Sequence, residues 1–106
     1  MTTVVYGLYA KNDNHLVDLF PTEALAHSYT GTMNRPLYYI EPLKRDVAFV
    51  VMERGDHYDG GDKVKAVCHT YTAALRVVTE CEAVDVKDGY PVGYKDYDVD
   101  VYEVQR

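Results

Sequence analysis

The 106-residue sequence has no tryptophan, only two phenylalanines and only two cysteines. Two cysteines are too few for a disulfide scaffold, so we expect reduced thiols and a cytoplasmic location. No apolar run approaches the roughly 20 residues that a membrane-spanning helix needs, and we expect no membrane segment. The first residues lack the basic region and the cleavage site of a secretory signal, and we expect none there. Together these absences favour an ordinary globular domain.

Positive charge is also scarce, with 11 Lys and Arg against 17 Asp and Glu and a formal net charge of −6. Direct binding of nucleic acid needs a basic surface, and the bases here are scattered, so we expect no such binding. The sequence contains no Gly-rich phosphate loop, no nucleophile elbow and no HExxH motif. We therefore expect no catalytic residue, no metal and no cofactor.

Tyrosine, by contrast, occurs 11 times. Its ring with a polar tip suits half-buried sheet faces and binding surfaces. Hydrophobic residues make up 47% of the chain, which is normal for a globular protein. The length fits one ordinary domain, and we predict a single domain over residues 1–106.

One order of elements, two strands followed by a helix and a third strand, can be read twice along the chain. The first copy spans residues 4–43 and the second spans residues 47–104. A threonine suited to capping precedes each helix, Thr22 in the first copy and Thr70 or Thr72 in the second. We predict an α+β fold of two hairpin–helix–strand (ββαβ) repeats, with about six mostly antiparallel strands and two helices. The pattern leaves open whether the strands form one sheet or two.

Negative charge is concentrated near the end of the sequence. Residues 80–103 contain eight acids and two bases, so they carry the whole net charge, and the rest of the chain is neutral. We interpret residues 85–96 as a loop because glycine and proline recur in it. Residues 97–104 are predicted to form the last strand.

This last strand and the residue before it carry a row of acids. Because alternate residues of a strand point to opposite faces, Asp96, Asp98 and Asp100 share one face, and Tyr97 and Val99 share the other. Like charges repel, so we expect the acidic face to be solvated in the free protein. It is either a solubilising face that protects an edge strand or a contact surface for a basic partner.

The loop of residues 55–62 gathers three carboxylates and an imidazole. It does not fit a calcium loop, because Gly55 stands where the first ligand belongs, and turn chemistry explains its composition. If the protein is instead an enzyme with a site assembled from distant residues, the candidates are His57, Asp59 and His69.

Four stretches of the first half carry a family resemblance: residues 5–9 (VYGLY), 16–20 (LVDLF), 21–26 (PTEALA) and 38–42 (YYIEP). In these the sequence resembles small uncharacterised proteins encoded by bacteriophages. The resemblance implies a compact accessory protein that acts on a host factor by binding. It implies no catalytic residues.

We predict a non-enzymatic protein-binding module, with inhibition of a host factor as its role. A nucleic-acid-binding protein whose groove the acids occupy in place of phosphates fits such a surface. The alternatives are a homodimeric structural or accessory protein and a small enzyme. The predicted contact residues are acids and tyrosines of the second copy: Glu82, Asp85, Asp88, Tyr90, Tyr94, Asp96, Asp98 and Asp100.

Overall fold

The computed structural model describes residues 2–31, 37–55 and 61–104. Within these ranges lie six strands and two helices, in two three-stranded antiparallel sheets, which confirms the α+β class. In chain order the elements are β1 (Thr3–Ala10), β2 (Leu16–Phe20), α1 (Glu23–Gly31), β3 (Tyr38–Arg45), β4 (Val47–Arg54), β5 (Lys63–Cys68), α2 (Tyr71–Lys87) and β6 (Asp96–Glu103).

The strands form two sheets rather than one, with the orders β2-β1-β3 and β5-β4-β6. In each sheet the first strand of the predicted copy is central, its hairpin partner lies on one side and the strand after the helix lies on the other. The two sheets thus share one strand order. An internal repeat of the sequence stays a prediction, as does the single domain.

One compact unit comprises Met1–Val47 and Val101–Arg106 and contains β1, β2, α1 and β3. The central strand β1 pairs with both neighbours, so that Tyr6 lies opposite Phe20 on β2 and opposite Pro42 on β3. Pro42 lies on β3, an edge strand of this sheet, and edge strands are where sheets tolerate proline. The fully buried side chains of this unit include Leu8 and Ala26.

The other compact unit, Ala48–Asp100, contains most of β4 and β6 together with β5 and α2. Phe49 and Val51 on one face of β4 are buried, and so is Ala74 on α2. The ring of Phe49 packs against that of Tyr71 in the first turn of α2, with 6.0 Å between the centroids. The apolar face of this central strand therefore forms the core that positions α2.

Threonine side chains cap both helices. The Thr22 hydroxyl accepts a hydrogen bond from the Leu25 N–H at 3.2 Å, and the Thr70 hydroxyl accepts one from the Ala73 N–H at 3.1 Å. These contacts confirm Thr22 and select Thr70 over Thr72, which lies within α2. Residues 34–36 (Asn-Arg-Pro), whose proline predicts a stop of the first helix, lie outside the described residues.

The second helix is longer than the sequence suggested. Residues 85–87, predicted to begin a loop, are its last turn, and the cap residue Asp88 donates its backbone N–H to the carbonyl of Val84. Gly89 follows with a φ of 96°, a left-handed conformation that ends helices. The prediction was wrong because nothing before Gly89 interrupts a helix. Among the described residues, no helix is both long and apolar enough to cross a membrane.

Candidate partner-binding site

Arg54, at the end of β4, binds three carboxylates at once. Its Nε lies 2.8 Å from Oδ2 of Asp98, and its Nη2 lies 2.8 Å from both carboxylate oxygens of Asp100. Its Nη1 lies 2.9 Å from Oδ2 of Asp62. The guanidinium thus connects β6 to the residue before β5 through charged hydrogen bonds, which are stronger than neutral ones.

This contact corrects the prediction of a solvated row of repelling acids on the last strand. Asp98 and Asp100 do share a face, but they share it with Arg54 of the adjacent strand. Hydrogen bonding to Asp98 raises the pKa of Arg54, and the guanidinium holds the pKa of the Asp62 carboxyl below its usual value. Of the three predicted acids, only Asp96 makes no ion pair within the described residues.

A second group of charges surrounds Lys95. Its Nζ lies 3.5 Å from Oε1 of Glu53 and 3.4 Å from Oδ1 of Asp85, while Lys63 lies 3.9 Å from Glu53. The side chain of Glu53 is only 12% exposed and that of Asp85 only 13% exposed. Because buried charges are costly unless they are paired, these cations stabilise both carboxylates. The Tyr97 hydroxyl donates a 2.5 Å hydrogen bond to the other oxygen of Asp85.

The pKa values in this group follow from burial and from the acids. Burial lowers the pKa of the Lys95 ammonium, but the carboxylates of Asp85 and Glu53 outweigh it and the net shift is upward. Burial, followed by the hydrogen bond to Asp85, raises the pKa of the Tyr97 hydroxyl. At neutral pH, Lys95 is therefore charged and Tyr97 is a hydrogen-bond donor.

Two predicted tyrosines form a stacked pair after α2. The rings of Tyr90 and Tyr94 have centroids 5.2 Å apart at an angle of 25°, and Lys95 Nζ lies 4.7 Å from the centroid of Tyr90. Backbone hydrogen bonds fix the turn, since Tyr90 N–H donates to the Asp85 carbonyl and Tyr94 N–H donates to the Pro91 carbonyl. The outer ring, Tyr94, remains 66% exposed.

Apolar side chains lie exposed around this pair. Val92 is 84% exposed and Val86 is about half exposed. Val86, Val92 and Tyr94 line one small cleft together with Glu82, and Tyr94 lines a second, open groove together with Asp96. We call this set the Tyr94 surface: Glu82, Val86, Tyr90, Val92, Tyr94 and Asp96.

The structure divides the eight predicted contact residues into three groups. Asp85, Asp98 and Asp100 are bound by cations of this chain. The acids that make no ion pair within the described ranges are Glu82, Asp88 and Asp96, and all three are exposed. The other two predicted residues, Tyr90 and Tyr94, are stacked on each other and belong to the Tyr94 surface.

Sequence reasoning missed several residues of this region. Arg54 and Lys95 were overlooked because their partners lie on other strands or on α2, and sequence spacing does not reveal such contacts. Val92 carried a usable signal, because an apolar residue between Pro91 and Gly93 in a turn has no strand or helix to bury it.

The described residues form no catalytic site around the candidates for an enzyme. His57 and Asp59 lie outside them, and His69 is exposed. Asp62 accepts hydrogen bonds from Arg54 and from the Gly55 N–H. Within the described residues no group of three or more His, Cys, Asp or Glu could hold a metal ion. Both cysteines are free thiols.

No family model, no curated protein and no solved structure matches this chain. The resemblance to phage-encoded proteins therefore stays a prediction.

Proposed function

We propose that this protein is a non-enzymatic binding module that docks a partner protein through the Tyr94 surface. One observation carries the proposal: the exposed side chains of Val92 and Tyr94 lie beside Glu82 and Asp96, acids without an ion pair in the described residues. Exposed apolar patches rimmed by polar groups are typical of interaction sites, and tyrosine is enriched in them.

The charge of the surface favours a basic partner. Residues 80–103 carry the net charge of the whole chain. Asp98 and Asp100 contribute less to the field at the Tyr94 surface because Arg54 offsets them. The acids next to the exposed aromatic rings are free to complement cations of the partner. A partner such as a nucleic-acid-binding protein of a host cell fits this chemistry, and we place the encounter in the cytoplasm.

The proposal predicts that specific acids, rather than total charge, support binding. Proteins retained by the immobilised chain from a cytoplasmic lysate are identified, purified and titrated against two double variants. Glu82→Gln with Asp96→Asn should weaken binding by about fivefold, because two exposed charge pairs are lost. The control, Glu80→Gln with Glu41→Gln, removes the same charge from exposed positions elsewhere and should leave the Kd unchanged. An equal loss of affinity in both variants would contradict the proposal.

The inhibitory role has its own test with the same purified partner. If the acids occupy a nucleic-acid groove, a DNA or RNA ligand of that partner should displace this protein, and the Glu82→Gln, Asp96→Asn variant should be displaced more easily. Simultaneous binding of nucleic acid and this protein to the partner would contradict mimicry of nucleic acid. It would not contradict docking through the Tyr94 surface.

A further inference from the structure

The segment that forms the Tyr94 surface already binds one lysine of its own chain. The Lys95 ammonium lies 3.4 Å from a carboxylate oxygen of Asp85 and 4.7 Å from the centroid of the Tyr90 ring. A carboxylate on α2 and a tyrosine ring in the following turn therefore contact the same cation. Such a combination joins an ion pair to a cation–π contact.

The same two kinds of group occur a second time, next to the first. Glu82 precedes Asp85 by three residues on α2, so the two side chains are neighbours on one helix face. Tyr94 is stacked on Tyr90. Glu82 and Tyr94 both line a cleft of ≈ 20 Å³ whose apolar wall includes Val92. Within the described residues no cation pairs with Glu82.

The charged residues that line the cleft carry one more negative charge than positive charge. Of the residues that line it, Glu82 and Asp85 supply two carboxylates, while Lys95 supplies one ammonium group. One further monovalent cation would neutralise the group. The cleft also has apolar walls, which distinguishes it from an acidic patch that is merely solvated.

On the basis of the proposed function, we propose that this cleft receives a lysine side chain of the partner. The lysine ammonium pairs with Glu82, and its methylene stem lies along Val92 and the ring of Tyr94. The cleft has room for about one water-sized group, which fits a compact ammonium and not the broad, planar guanidinium of arginine. The partner's basic surface therefore contacts this cleft through lysine.

Three peptides test this inference with the full-length chain: hexalysine, hexaarginine and Nε-acetylated hexalysine. Binding is followed by NMR at low ionic strength, using the backbone amides of the Tyr94 surface. Hexalysine should bind more tightly than hexaarginine, and acetylation should abolish binding because it removes the charge. Glu82→Gln should raise the Kd for hexalysine about threefold, and Tyr94→Leu should raise it by a similar factor of about three.

Glu80→Gln is the matched control, because it removes the same charge from the same helix two residues away, on another face. Its Kd for hexalysine should equal that of the unmodified chain. Equal losses in Glu80→Gln and Glu82→Gln, or equal affinity for hexaarginine and hexalysine, would overturn the lysine cleft and leave the acidic docking surface intact. If none of the cationic peptides binds, the lysine cleft and the proposed basic partner both fail.

Discussion

Arg54 on β4 contacts Asp100 on β6 through a single nitrogen, Nη2, which lies 2.8 Å from both carboxylate oxygens. The same guanidinium also binds Asp98 and Asp62. Three of the chain's acids thus bind one cation, and the contacts join β4 to β6 and to the residue that precedes β5. It also separates acids that serve the fold from acids that are available to a partner.

Arg54→Gln should lower the free energy of unfolding by about 1–2 kcal/mol, because it leaves three neighbouring carboxylates without their cation. The side chain is 33% exposed, so solvent screening keeps the loss below that of a fully buried pair. Urea unfolding measures the change. Arg76→Gln, which removes an exposed charge with no ion pair in the described residues, is the matched control and should be close to neutral. A similar loss in both variants would contradict the role of Arg54.

The contact between Arg54 and Asp62 predicts a specific acid dependence of stability. Since the guanidinium lowers the pKa of Asp62 in the folded chain, the contribution of Asp62 is fully present above the ordinary pKa of 3.8. It is lost as the pH falls through the lower folded value. The difference in unfolding free energy between the unmodified chain and Asp62→Asn should be constant above about pH 5 and shrink below about pH 4.

A double-mutant comparison isolates the cause of this acid dependence. With Arg54→Gln as the background, the effect of Asp62→Asn should vary less with pH, because the hydrogen bond that lowers the pKa of Asp62 most is gone and only that from the Gly55 N–H remains. An acid dependence that persists unchanged in this background would assign the shift to another group.

Tyr97→Phe should cost about 1–2 kcal/mol, because it leaves an oxygen of the poorly exposed Asp85 without its donor. Tyr102→Phe, on the same strand, is the control, since Tyr102 is exposed and makes no hydrogen bond within the described residues. The pKa of Tyr97 is raised above 10.0 in the fold, so its stabilising effect should be present below pH 10 and decline above it. Equal unfolding free energies for the two variants would exclude the proposed role of Tyr97.

Local sequence signals predicted most of the fold. The order of strands and helices agrees with the prediction, and Thr22 and Thr70 cap the helices as expected, because strand periodicity and capping depend on near neighbours. The end of α2 was misplaced because the loop was predicted to begin at residue 85, whereas the helix continues to Lys87 and Gly89 follows its cap.

The candidate site was predictable only in part. Tyr90 and Tyr94 stood out by composition and their position in a turn. The pairing of Asp98 and Asp100 with Arg54 depends on β4 and β6 being neighbours in the sheet, which local sequence patterns do not reveal. The charge count was therefore correct, while the distribution of unpaired charge needed the structure.

Photo-crosslinking from Val92 tests the central claim most directly. A benzoylphenylalanine at Val92, the most exposed apolar residue of the Tyr94 surface, is compared with one at Val67 on β5, which is also largely exposed. Both are irradiated in cytoplasmic lysate. We predict that Val92 crosslinks to one partner, that the yield falls with salt raised from about 0.1 M to about 1 M, and that Glu82→Gln reduces it while Glu80→Gln does not. Equal crosslinking of the same partner from both valines, or a yield that neither salt nor Glu82→Gln changes, would contradict docking through the Tyr94 surface.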